Sequence, residues 1–246
     1  MKKCFLCGYL LIALLLCWSG SALALPAEFV TEPIGETGLP ESLELEPLGQ
    51  EPHRRPVRCF DVREDGVIAL GWEEDFNYHV ICLYDGNGTF LSGYRFVNGG
   101  SFGILWDGND LLLCMSRGNA VLSIREDGTA VPTARIQDNW QTMSIWNRTF
   151  YAPVRTVNGT RYTLSKNLGP FGLLGSTYTR LTVTEPDGTE RRVYDVNAET
   201  LQKRIMISLL GMALAFSISY ALYDRRKQQR EEAERQTGRN GTDRPI

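Results

Sequence analysis

Short apolar runs separated by tight turns occupy the middle of the chain, from Val57 to Val196. Examples are the runs Cys59-Phe60-Asp61-Val62, Val67-Ile68-Ala69-Leu70 and His79-Val80-Ile81-Cys82-Leu83-Tyr84. Short runs of this kind, bounded by Gly, Asp and Asn, are typical of β-strands joined by hairpins. Because no helical period occurs before about Asn197, the pattern predicts a mostly β fold over this region.

The same turn sequences recur along the β region. The turn Asp85-Gly86-Asn87-Gly88-Thr89 is followed by Glu126-Asp127-Gly128-Thr129 and by Pro186-Asp187-Gly188-Thr189. An earlier turn recurs as Arg63-Glu64-Asp65-Gly66, Trp106-Asp107-Gly108-Asn109-Asp110 and Trp146-Asn147-Arg148. Tight hairpin turns need positive φ, which glycine accepts most readily. Each unit is therefore predicted to run strand, turn, strand, loop, strand, Asp-Gly turn, strand.

Four strands in about 40 residues resemble one blade of a β-propeller of the NHL-like type. The resemblance covers Val57 to Val196 and depends on the period, the turn spacing and the strand pattern Val80-Ile81-Cys82-Leu83-Tyr84-Asp85. It implies about three four-stranded blade-like repeats, too few to close a propeller. The third repeat is irregular, because extra residues separate Ala152 from Thr179. Part of this insert, with Asn158-Gly159 between two short β-type runs, is predicted to form a hairpin. A β-sandwich or meander with shared turn chemistry is the alternative fold.

The two ends of the chain predict membrane targeting. Residues 1–24 have Lys2 and Lys3 before an apolar run and small residues at Ala22 and Ala24, which is the pattern of a signal peptide. An uncleaved anchor is the alternative. Residues 25–56 form an acidic Pro/Glu-rich linker that holds few large apolar residues, so we expect an extended and mostly disordered segment.

The segment Ile205–Leu222 carries no charge and is just long enough to cross a bilayer as a helix. We assign residues 197–223 to a juxtamembrane and transmembrane helix and residues 224–246 to a cytoplasmic basic tail. The basic residues beside the span place the tail in the cytoplasm by the positive-inside rule, so the β domain is expected outside, in a single-pass protein of the cell membrane. Gly211, Ala215 and Ser219 recur every fourth residue and predict a helix–helix contact.

A second contact is predicted in the loop that interrupts the third repeat. Leu168, Phe171, Leu173 and Leu174 are too apolar for an idle solvated loop. We expect them to contact the edge of their own domain, a second protomer or the membrane surface. The predicted partners are therefore the membrane and either a protein partner or a second copy.

Composition and motifs argue against several functions. A net charge of −3 and a pI of about 5.6 do not favour a nucleic-acid partner. No metalloprotease, serine-hydrolase or phosphate-binding motif is present, so we predict no catalytic, cofactor or metal site and no enzyme activity. Cys59, Cys82 and Cys114 are expected on strands as small buried side chains, or with one disulfide between Cys59 and Cys82.

These observations favour a single-pass membrane protein whose extracytoplasmic β-repeat domain is a binding or scaffolding platform. Two alternatives are a membrane-anchored enzyme acting on envelope carbohydrate and a signalling component that acts through its short cytoplasmic tail. The enzyme requires carboxylates that converge from separate loops, and the signalling component requires a cytoplasmic partner.

Overall fold

The computed structural model describes residues 31–32, 43–75, 77–125, 127–137, 140–169, 172 and 176–240. The predicted signal peptide (1–24) and the last six residues of the tail lie outside these residues. The described residues fall into two compact units. The first, here called the β unit, contains those up to Asn167 and those from 176 to Val196. The second contains the short segment that begins at Leu168, and the chain from Asn197 onward.

Three antiparallel sheets form the β unit. Sheet 1 has the order β2-β6-β5-β4-β3, with β2 Glu46–Pro47, β3 Cys59–Val62, β4 Ile68–Glu73, β5 Tyr78–Tyr84 and β6 Phe90–Val97. Sheet 2 has the order β1-β10-β9-β8-β7, with β1 Thr31–Glu32, β7 Phe102–Asp107, β8 Asp110–Met115, β9 Ala120–Ile124 and β10 Ala130–Ile136. Sheet 3 has the order β11-β12-β13-β14, with β11 Val154–Val157, β12 Thr160–Ser165, β13 Arg180–Thr184 and β14 Glu190–Asp195. The prediction of a mostly β chain is confirmed.

Each sheet contains a four-strand meander with the predicted order of strands and turns. Glycines with positive φ lie in the predicted turns, among them Gly66 at 90°, Gly88 at 86°, Gly128 at 82° and Gly188 at 85°. In the last three of these turns an Asp carboxylate accepts a hydrogen bond from the Thr backbone N–H that follows, as in Asp187 to Thr189 at 2.8 Å. The turn sequence therefore determines where each hairpin reverses.

Two expectations for the third repeat were wrong. Trp146-Asn147-Arg148 is not a turn, because it lies within the helix α1, Trp140–Phe150, which precedes sheet 3. The residues taken as an insert after Ala152 instead form β11 and β12, and their hairpin turns at Asn158 and Gly159, both with positive φ. The hairpin itself was predicted, but its place as the first half of sheet 3 was not.

The sheets pack face to face around sheet 1. One face of sheet 1 packs on sheet 3, and the other packs on sheet 2. The neighbouring residues Phe60 and Cys59 illustrate this, since they belong to the two different cores. The far face of sheet 2 packs on α1 through Trp146 and Phe150. The described residues thus form an open stack of sheet 3, sheet 1, sheet 2 and α1, with no closed propeller.

A buried polar cluster joins β3, β7 and β11, the first strands of the three meanders. Asp61 on β3 is only 8% exposed. Its Oδ2 accepts a hydrogen bond from the backbone N–H of Trp106 on β7 at 2.7 Å, and its Oδ1 accepts one from Nε of Arg155 on β11 at 2.9 Å. Burial raises the pKa of Asp61, although the Trp106 N–H and the Arg155 charge oppose the shift.

The second half of the linker is held on the β unit, which differs from the expectation of disorder. Glu46 and Pro47 pair with Arg95 and Tyr94 at the outer edge of sheet 1. Farther along, the hydroxyl of Tyr194 donates to the carbonyl of Arg55 at 2.7 Å and accepts from its N–H at 3.0 Å. The strand edge and this tyrosine supply partners that composition alone does not reveal, so an acidic segment becomes ordered.

The second unit contains the helix α2, Asn197–Asn240. Its stretch Asn197–Gln229 is the one helix among the described residues that is long and apolar enough to span a membrane. Large apolar side chains project from it, with Leu210 73% and Phe216 75% exposed. A helix starting at Asn197 was predicted, and the single C-terminal apolar helix is confirmed.

Candidate functional site

The two ends of the β unit differ in their connections. The turns that contain Gly66, Gly88 and Gly128 lie at one end, whereas the other end carries the connections between β4 and β5, between β6 and β7 and between β8 and β9, together with α1. Loops on a rigid scaffold are the usual place for binding residues. Two adjoining cavities open at this second end, and we call them together the cleft.

The acidic lobe of the cleft is a cavity of about 520 Å³ between the β4–β5 connection and the β6–β7 connection. Its lining residues are Glu73, Glu74, Asp75, Asn77, His79, Asn98, Gly99, Gly100 and Ser101. Glu74 accepts a bidentate hydrogen bond from Arg95, at 2.7 and 3.2 Å. The carboxylates of this lobe are thus held partly by neighbouring arginines.

The aromatic lobe is a cavity of about 310 Å³ beside α1. Its lining residues are Arg58, Ser101, Ser116, Asn119, Thr142, Trp146, Asn147 and Tyr151. Asn119 has a positive φ of 51°, which asparagine tolerates better than most side chains. The lobe therefore combines amide and hydroxyl groups with two aromatic rings, and it shares Ser101 with the acidic lobe.

Arg58 connects the two lobes. Its guanidinium donates to Glu73 at 2.5 Å, to Ser101 at 3.0 Å and to the hydroxyl of Tyr151 at 3.4 Å, and it lies 5.2 Å from the centre of the Tyr151 ring. Burial lowers the pKa of Arg58, but the contacts with Tyr151 and Glu73 outweigh burial and raise it overall. Arg58 thus fixes the positions of Glu73, Ser101 and Tyr151, which lie where the two lobes meet.

His79 is a buried acceptor at the acidic lobe. Its side chain is 3% exposed and packs against the rings of Phe96 and Phe102, with centroids 5.4 and 4.9 Å away. Nε2 lies 2.8 Å from the carbonyl oxygen of Asn98, which only accepts, so Nε2 carries the proton. Nδ1 is then an acceptor, and it has no hydrogen-bond partner among the described residues.

The described cysteines do not supply a nucleophile. Burial raises the pKa of Cys59 and of Cys82 to about 12, and it raises the pKa of Cys114 as well, so the thiols stay protonated at neutral pH. All three are free. Cys59 and Cys82 face opposite sides of sheet 1, which explains why they do not form the suggested disulfide. Within the described ranges, no three His, Cys, Asp or Glu side chains are placed to hold a metal ion.

The residues predicted from sequence for contacts do not line the cleft. Leu168 is 2% exposed in the second unit, whereas Phe171, Leu173 and Leu174 lie outside the described residues. Gly211, Ala215 and Ser219 are exposed on α2, and the hydroxyl of Ser219 donates to the carbonyl of Ala215 at 2.8 Å. The predicted helix–helix contact stays a prediction.

The cleft residues were missed because they come from distant parts of the chain. The cluster Glu73-Glu74-Asp75 was visible in the sequence, but it has the composition of a solvated turn. Asn147 and Trp146 were assigned to a turn, so their place on a helix beside Ser101 was not foreseen. A short amphipathic pattern from Trp146 to Phe150 was the one available signal.

No protein-family model matches the sequence, and no curated protein matches it either. Function is therefore inferred from the geometry of the described residues.

Proposed function

We propose that this chain is a single-pass membrane protein whose β unit is an extracytoplasmic binding platform. The observation that carries the proposal is the cleft, because its walls come from two sheets and a helix and are fixed by Arg58. Polar groups that converge in a concave site on a rigid scaffold are typical of binding sites. The proposed partners are the membrane together with an external ligand, a protein or a second copy.

The three meanders are proposed to be blade-like repeats of the β-propeller type. Their first strands support this, since β3 packs on both β7 and β11. In place of a further blade, α1 covers the far face of sheet 2. An open set of blades with a helical cover suits a platform, because it leaves the loops at one end accessible.

The proposed orientation places the β unit outside and the tail in the cytoplasm. Arg225, Arg226 and Lys227 follow the apolar span directly and support this assignment. Cysteines introduced at Ser42 and Thr237 should differ in intact cells: an impermeant thiol reagent should label only Ser42→Cys. Labelling of Thr237→Cys from outside would overturn the orientation.

Site-specific photo-crosslinking tests the platform directly. A photoreactive phenylalanine analogue replaces Asn147, which is exposed on α1 at the aromatic lobe. The matched control carries it at Asn87, which is exposed in a glycine turn at the opposite end of the β unit. A defined adduct in intact cells from position 147, but not from position 87, is the expected result. Equal or absent crosslinking at both positions would contradict a binding role for the cleft.

A further inference from the structure

We propose that the cleft binds a neutral oligosaccharide, a ligand class that rests on the proposed function of this site as a binding platform. Each lobe is lined by one residue that has a buried polar atom without a hydrogen-bond partner among the described residues. Nε1 of Trp146 is a donor only, and Nδ1 of His79 is an acceptor. A hydroxyl group both donates and accepts, so hydroxyl groups suit a cleft whose lining residues offer donors and acceptors together.

The charges around the cleft favour an uncharged ligand. Glu73 is paired with Arg58 and Glu74 with Arg95. Arg117 lies at the rim, where its guanidinium donates to the carbonyl of Gly99 at 3.4 Å. Asp75 adds one acidic group to the same lobe. Because the arginines offset the carboxylates, the cleft has no strong excess of either sign to attract an ion.

The size and shape of the cleft favour a chain of sugar rings. Ligand pockets commonly enclose about 300–1,000 Å³, and the two lobes measure about 520 and 310 Å³ with Ser101 common to both. Trp146 and Tyr151 supply an apolar wall against which the C–H face of a sugar ring packs. The amides of Asn119 and Asn147 present a donor and an acceptor each to ring hydroxyls.

An extended peptide fits this part of the molecule less well. Peptides in extended conformation are usually recognised by pairing with a free sheet edge. The residues that line the cleft lie mostly in connections between strands and on α1, and none of them belongs to β1, β2, β3 or β7, the edge strands of sheets 1 and 2. Side chains therefore make the contacts in the cleft. This suits an oligosaccharide, which has no peptide backbone to pair with a strand.

The test is direct binding to the full chain in nanodiscs made without glycolipid or sugar detergent. The probes are maltotetraose, cellotetraose and chitotetraose, followed by isothermal titration calorimetry and tryptophan fluorescence. At least one tetraose should bind. Asn147→Ala and Asn119→Gly, the second of which keeps the left-handed backbone, should each weaken binding at least tenfold. Asn87→Ala, at the opposite end, should leave affinity unchanged.

Two results would overturn the assignment. Failure of all three tetraoses to bind is one, and unchanged affinity in both Asn147→Ala and Asn119→Gly is the other. Specific crosslinking from position 147 without sugar binding would reject the carbohydrate class while the platform stands. Loss of both signals would reject the platform as well.

Discussion

Nε of Arg155 lies 2.9 Å from Oδ1 of Asp61, and this ion pair links β11 of sheet 3 to β3 of sheet 1. The side chains of Arg155 and Asp61 are only 17% and 12% exposed. Oδ2 of Asp61 also accepts the N–H of Trp106 in sheet 2. One carboxylate therefore ties together three sheets that are otherwise held by apolar packing.

Arg155→Met should destabilise the β unit by about 3–5 kcal/mol, because it leaves a buried carboxylate without its counter-charge. The measurement is urea unfolding of the full chain followed by tryptophan fluorescence. The control is Arg192→Met, which removes a 3.3 Å pair to Asp195 in which the arginine is 58% exposed. That change should cost no more than about 1 kcal/mol. An equal decrease in the free energy of unfolding in both variants would show that the buried Asp61 pair is no more important for stability than the exposed pair.

Folding should shift the pKa of Asp61 in the opposite direction from the pKa values of the turn aspartates. Burial raises the pKa of Asp61 in the folded state, so the stability linked to this group is fully present below the unfolded value of about 3.9 and is lost as pH rises through the folded pKa. Backbone N–H donors lower the pKa of Asp187, so its contribution is present above about 3.9 and is lost as pH falls through its folded pKa. Carboxyl-carbon NMR titration should give a midpoint above the ordinary range for Asp61 and below it for Asp187. The reverse order would contradict the burial of Asp61.

Gly103→Ala should loosen α1 from sheet 2. A methyl group at Gly103 would overlap the ring of Phe150, which is fully buried. Overpacking of this kind costs about 1–3 kcal/mol. Gly49→Ala is the matched control, because no atom of the described part of the chain lies within 4 Å of a methyl group added there. Thermal unfolding compares the two, and combining Gly103→Ala with Phe150→Ala should give less than the sum of the single losses. If the two stability losses are fully additive, the methyl group at position 103 does not overlap the ring of Phe150.

Tyr194→Phe should release the linker around Arg55. The hydroxyl makes two hydrogen bonds to the partly buried Arg55 backbone, and each hydrogen bond of this kind contributes about 0.5–1.5 kcal/mol to stability. Hydrogen exchange over residues 50–56 should become faster, while exchange in β13 stays slow. Tyr78→Phe, at a residue that is 47% exposed, is the control and should leave both rates unchanged. Unchanged exchange in Tyr194→Phe would mean that other contacts hold the linker.

Gly211→Ile should weaken self-association of α2 in a membrane reporter assay. A Cβ atom added at Gly211 meets no atom of the described residues within 4 Å apart from its own helix, so the change tests contact with another helix. Met212→Ile, at the next position around the helix, is the control and should keep the signal. An equal signal in all three proteins would indicate that the small residues have no part in association.

The sequence alone was sufficient for features that have local causes. Glycine at Gly88, Gly128 and Gly188 accepts the positive φ of a hairpin turn whatever surrounds it, so the turns and the strands between them could be located. The length and apolar composition of α2 likewise determine that it is able to span a bilayer. These properties depend on neighbouring residues and on the solvent.

Tertiary structure decided the rest. The segment at Trp146 becomes a helix because the exposed face of sheet 2 gives its aromatic side chains a surface to cover, and short helices depend on such packing. The acidic linker forms β2 because the edge of β6 supplies its hydrogen bonds. The cleft exists because sheet packing and the packing of α1 on sheet 2 bring Arg58, Ser101 and Asn147 together from positions far apart in the chain. Contacts between distant residues leave no periodic pattern in a single sequence, so only the folded chain specifies them.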